Sequence, residues 1–226
     1  MTHKKTLVMA CATVIEEMLP LLPQGMQYQV FDFGLHAQPG QLKASLQAAI
    51  NAVEDQFDTI ILGYGLCSQG VVGLSSKHCR LVIPRVDDCI AVFLGSRSAY
   101  ALESAKEPGT YYLTKGWIEV GDTPFSEYET HIQQYGKDNA DYIYDVMMGK
   151  YKRLALINTG GHELEKYRAY TQQKAREFKL SYQEIEGSQR LIKKMLFGPW
   201  DEEFIVVEPG EVICFEHFHP EDEGVE

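Results

Sequence analysis

The chain has 226 residues, 45% hydrophobic and 23% charged, enough apolar chain to bury a core without disulfide staples and too much for general disorder. No stretch of about 18 consecutive apolar residues occurs, which argues against a membrane span. The net charge of −11 is local: residues 201–226 hold ten acids and no Lys or Arg, and residues 1–200 are near neutral. No basic run offers a face for phosphates, so nucleic acid is not an expected partner.

Met1-Thr2-His3-Lys4-Lys5 followed by Leu7–Ile15 superficially imitates a signal peptide. The apolar run stops at Glu16-Glu17 with no small-residue cleavage site, so it reads as a first strand and a cytoplasmic location is the expectation. Thr6–Ala10 is that strand, and Thr13 to Leu22 reads as a brief helix ended by Pro20 and Pro23. Tyr28–Phe33 is a second strand. Leu42, Leu46, Ile50, Val53 and Phe57 keep the helical period, predicting an amphipathic helix over 41–56. Asp58–Gly63 is a buried parallel strand by its continuous apolar run. Arg80–Pro84 is a fourth strand, and a helix begins at Ile90–Ser96. Residues 107–122 form a connector with one short strand. Ser126 followed by Glu129 suggests a capping box for a helix over 126–148, which Gly136 interrupts or breaks. Strands at Arg153–Asn158, Leu180–Ile185 and Phe204–Val207 then alternate with helices at Glu163–Phe178 and Ser188 to Phe197.

Alternating strands and helices imply an α/β fold with mainly parallel sheets. The expected form is two Rossmann-like lobes, with one continuous doubly wound sheet as the alternative. The first lobe spans 1–100, a connector and helix 101–149, the second lobe 150–212, and an acidic tail 213–226.

Cys11, His36, Cys67 and Cys89 each follow a predicted strand of the first lobe. Open α/β sheets bind ligands outside the carboxyl ends of their strands, so the topology gathers these four at one edge. Three thiolates and an imidazole suit tetrahedral zinc, and three thiolates with an open position suit catalytic zinc or an iron–sulfur cluster. Ordinary core cysteines are the alternative. Gly63-Tyr64-Gly65-Leu66-Cys67-Ser68-Gln69-Gly70 is not a dinucleotide motif, but Gly63 and Gly65 allow close backbone approach to a ligand. In Pro84-Arg85-Val86-Asp87-Asp88-Cys89, Arg85 suits an anion clamp, and Asp87 or Asp88 a catalytic base or orienting carboxylate. A helix cap for Asp88 and an ion pair for Arg85 are the plainer readings. Tyr111, Tyr112 and Trp117 in the connector are candidates to line a ligand pocket between lobes. His78 and Cys79 fall at the wrong strand end and read as structural. Cys214, His217 and His219 fall in the acidic tail, read as disordered.

Cys11, Leu62-Gly-Tyr-Gly-Leu-Cys67, Ile83-Pro-Arg-Val-Asp-Asp-Cys-Ile90, Gly95-Ser96, Pro108-Gly-Thr-Tyr-Tyr-Leu-Thr114 with Gly116-Trp117, Gly198-x-Trp200 and Pro209-Gly210 resemble the family designated domain of unknown function 1638, up to about residue 213. The resemblance implies an association with corrinoid-dependent methyl-transfer systems and with a corrinoid protein as partner. The leading expectation is therefore a metal- or cluster-binding protein of one-carbon metabolism, with zinc or an iron–sulfur cluster on Cys11, Cys67, Cys89 and His36. A non-catalytic module for a small molecule or corrinoid protein is one alternative. A metal-free thiol enzyme is the other, although all candidate thiols lie in the first lobe. A homo-oligomer is compatible with either.

Overall fold

Short apolar strands alternate with helices in the order β1 (Thr6–Cys11), α1 (Ala12–Met18), β2 (Gln27–Phe31), α2 (Pro39–Val53), β3 (Thr59–Gly63), β4 (Arg80–Pro84), α3 (Cys89–Leu94) and α4 (Arg97–Lys106), then β5 (Thr110–Leu113), α5 (Lys115–Val120), α6 (Pro124–Tyr135), α7 (Lys137–Met148), β6 (Arg153–Asn158), α8 (Leu164–Glu177), β7 (Ser181–Glu186), α9 (Arg190–Phe197) and β8 (Phe204–Val207). This is a computed structural model that describes residues 5–67, 69–121, 123–160 and 163–220. Residues 1–4 of the leader-like start, Ser68 of the glycine-rich loop and the acidic residues 221–226 lie outside them.

Two sheets result. The first has the order β2-β1-β3-β4-β8, with β1 to β4 parallel and β8 antiparallel to β4. The second, β5-β6-β7, is parallel throughout. The protein is thus an α/β fold of two mainly parallel, Rossmann-like sheets. Alternate residues of β1 serve opposite faces, as the pleat requires. Leu7 and Met9 join Leu42, Leu46 and Ile50 of α2 on one side, while Val8 and Ala10 join α1, α3 and α9 on the other. Among the described residues, no helix is long and apolar enough to cross a membrane.

Three features differ from the sequence expectation. The last helix and strand of the expected second lobe pack on the first sheet. Leu191, Ile192 and Met195 of α9 cluster with Val8, Ile61 and Val82, and Val206 pairs with Val82. An antiparallel strand needs no crossover helix, so alternation alone gives no sign of this return. Residues 213–220 are not a loose tail: Ile213 and Phe218 are buried in the first sheet's second core, and Ile213 N–H donates to Leu74 O at 2.9 Å. The helical stretch over 126–148 is divided at Gly136, φ +79°, where the glycine suggested a break, but its start differs. The capping box sits three residues earlier than expected, with Thr123 at the N-cap and Ser126 as its partner, helped by Pro124 at the first helical position.

The sheets meet through α1 and α5. A Cβ on Gly116 would lie 2.5 Å from Thr13 O, so only glycine permits this approach. Nearby, Thr159 Oγ1 at the end of β6 donates to Glu17 Oε2 of α1 at 2.5 Å. Burial pushes the Glu17 carboxyl above its ordinary range, against that hydrogen bond.

Candidate functional site

A strand order that places β1 between β2 and β3 makes a switch point, where successive crossovers leave the sheet in opposite directions. A cavity of about 440 Å³ opens there, at the carboxyl ends of the first sheet's parallel strands. Cys11 closes β1, Gly63 closes β3, and the segment after β4 brings Asp87, Asp88 and Cys89. Phe33 and His36 follow β2. The opposite wall comes from the second lobe: Thr110, Tyr111 and Tyr112 of β5, Trp117 of α5 and Tyr151 before β6.

The loops after β3 and β4 are locked together by backbone bonds, Leu66 N–H to Val86 O at 2.8 Å and Cys67 N–H to Asp87 O at 3.0 Å. Gly65 is the contact point; it is not on the cavity wall. Gly63 is on the wall, and a Cβ there would meet Ala10 Cβ at 2.5 Å. Cys67 takes φ +46°, a backbone state that costs a non-glycine residue about 1–2 kcal/mol.

The thiols do not form the expected ligand set. Zinc needs each sulfur at about 2.3 Å from one point. Among the described residues, no group of three or more His, Cys, Asp or Glu is placed to hold a metal ion. The expectation of a zinc or iron–sulfur site on Cys11, Cys67, Cys89 and His36 is overturned on that geometry. The three cysteines sit at different points of the backbone, Cys11 as the last residue of β1, Cys67 four residues after β3 and Cys89 at the start of α3, and that placement gives no shared ligand point. His36 is exposed, and its Nδ1 donates to Phe33 O at 2.5 Å.

Burial raises all three cavity thiols: Cys11 moderately, Cys67 to about 12, and Cys89 far above its ordinary value, with the neighbouring Cys67 and Asp88 adding to the last. All three are therefore neutral at physiological pH. Alkylation by iodoacetamide at pH 8 is expected to label Cys11, Cys67 and Cys89 at least about tenfold more slowly than Cys214, since the thiolate is the reacting species. Peptide mass spectrometry over a time course measures this, and faster labelling of a cavity thiol would restore a thiol nucleophile.

Asp88 caps α3, its Oδ1 accepting from Ile90 N–H at 2.9 Å. Burial raises its carboxyl above the ordinary range. Asp87 is half exposed at the cavity edge, with Arg97 Nε and His219 Nε2 each 3.5 Å from its oxygens. Arg85 lies off the cavity: Nη1 donates to His217 O at 2.7 Å, tying down the C-terminal segment. Among the described residues, no Lys or Arg lines the cavity.

The sequence left Phe33, Tyr64, Tyr100 and Tyr151 out of the site. Tyr64 stood inside the quoted glycine loop. Its hydroxyl is buried with no hydrogen-bond partner among the described residues, as is Trp117 Nε1. Tyr100 sits in α4 with no local signal of its direction.

A family model described as "Protein of unknown function (DUF1638)" matches residues 30–196, from within β2 to within α9. Cys11, Trp200 and Pro209-Gly210 lie outside the matched stretch. No curated protein and no solved structure matches the chain. The match covers well over half of the sequence, and the chain belongs to the DUF1638 family.

Proposed function

We propose that the protein binds a small organic molecule in the cavity between its two sheets. The observation that carries this is a cavity of about 440 Å³ at the switch point of an open sheet, walled by both lobes. Its volume falls in the range of about 300–1,000 Å³ usual for small-ligand sites, and its wall is mainly aromatic with a few polar groups, as such sites are. The neutral thiols favour holding over attacking, so a binding role is preferred to thiol catalysis. The family description adds no activity to this reading.

The test is ligand-observed NMR with small neutral and charged fragments. Fragments are expected to bind in competition with one another, to quench tryptophan fluorescence, and to lose affinity at least tenfold in a folded Cys11→Phe variant that fills the cavity. Binding unaffected by that variant would place the ligand elsewhere.

A further inference from the structure

The wall of the cavity selects among ligands by charge. Three aromatic pairs surround it, each set near a right angle: Phe33 with Trp117 at 6.2 Å and 87°, Tyr100 with Tyr112 at 5.9 Å and 77°, and Tyr111 with Tyr151 at 5.4 Å and 80°. Aromatic ring faces carry negative potential, which attracts a cation. Asp88 adds a carboxyl that accepts from the α3 backbone and has no Lys, Arg or His within ion-pair distance among the described residues. Asp87, by contrast, has Arg97 and His219. Among the described residues the wall carries no Lys or Arg, so a cation meets aromatic rings and an acid with no basic partner.

We infer that the ligand is a small alkylated ammonium cation, held by cation–π contact with these rings and by the Asp88 carboxylate. Alkylation follows from the aromatic side chains on the wall, Phe33, Tyr64, Tyr100, Tyr111, Tyr112, Trp117 and Tyr151, because alkyl groups around a cation pack on rings. The inference rests on the cavity being the ligand site.

Titration calorimetry on the full chain tests it with choline, phenyltrimethylammonium and 3,3-dimethylbutan-1-ol, the uncharged isostere of choline. At least one cation is expected to bind tenfold or more tightly than the alcohol. Asp88→Asn keeps a good helix cap and is expected to lose tenfold or more for the cation with the alcohol unchanged. Trp117→Leu, remote from that cap, is expected to weaken the cation in the same direction. Equal binding of alcohol and cation, or no effect of Asp88→Asn, overturns the charge selectivity and leaves the cavity reading standing. Absence of cation binding while neutral fragments bind overturns it too. Absence of any binding overturns both.

Discussion

Gly65→Ala is expected to destabilise the protein by about 3 kcal/mol, the upper end of ordinary overpacking. For a chain of 226 residues that is a fall of about 6–12 °C in melting temperature. The added Cβ would lie 2.7 Å from Val86 O, 2.9 Å from Asp88 N and 3.0 Å from Asp87 C. All three are backbone atoms, and none is able to rotate away. The loops after β3 and β4 must separate, straining the two hydrogen bonds that join them. Because Cys67 and Asp88 ride on those loops, ligand affinity falls together with stability. Gly40→Ala is the control, since a Cβ there meets nothing within 4 Å inside the first turn of α2, and its stability is expected to stay level or rise slightly. Circular-dichroism melts of both variants decide the matter. A Gly65→Ala melt within a degree or so of wild type would show that the loops yield freely.

Glu103→Ala carries the second large effect. Glu103 in α4 and Arg153 at the start of β6 are both buried, with Glu103 Oε1 2.9 Å from Arg153 Nη1. Arg153 also donates from Nε to Thr110 Oγ1 at 2.7 Å and from Nη1 to Gln183, so it is fixed in place and cannot swing out to water. Removing the acid leaves a buried, unpaired guanidinium, which costs about 3–5 kcal/mol. Glu103→Leu combined with Arg153→Met is expected to cost much less, because no charge is then stranded. Urea denaturation of the single and double variants measures the difference. Acidity supplies a second check. Burial pushes the Glu103 carboxyl up, but its bond to Lys106 and the Arg153 charge outweigh that and hold it below its ordinary value. The folded state thus holds this proton less tightly than the unfolded chain does. The stability it confers is complete above the ordinary carboxyl range and lost as pH falls through the folded value. Wild type should therefore lose this increment on acidification, and Glu103→Ala should not.

Much of the architecture is local in its cause and was legible for that reason. Ile60-Ile61-Leu62 announces a strand covered on both faces, and Leu42, Leu46 and Ile50 announce one apolar stripe of a helix. Adding the rule that ligands gather at strand carboxyl ends is enough to bring Cys11, Cys67, Asp87, Asp88 and Cys89 towards one edge, where the structure places them on one cavity wall. Whether three sulfurs meet at a point is a different question. It depends on how each loop turns, and Cys67 at φ +46° follows a path that no local periodicity encodes. Arg85 shows the same limit: Asp87 and Asp88 stand close by in sequence, yet its partner His217 is 132 residues away. Tyr100 and Tyr151 reach the cavity only because the lobes dock, which is a tertiary fact. The Thr123 cap was within reach, since Thr-Pro followed by Ser126 is a helix-start pattern. The Ser126–Glu129 pair simply offered a competing one.

The antiparallel return of β8 has a consequence for how the molecule is made. Val82 pairs with Val206, and Val8 and Ile61 share a core with Ile192. During synthesis, the edge of β4 and the apolar face of β3 stay open until α9 and β8 leave the ribosome. The first domain to emerge is therefore the last to be finished, and the second sheet, whose three strands are close in sequence, is able to assemble while the first still waits. Such long sequence separation slows folding, and an open parallel edge invites pairing between chains. A nascent or truncated chain ending before α9 should accordingly be the aggregation-prone species, whereas the finished chain caps its own edge.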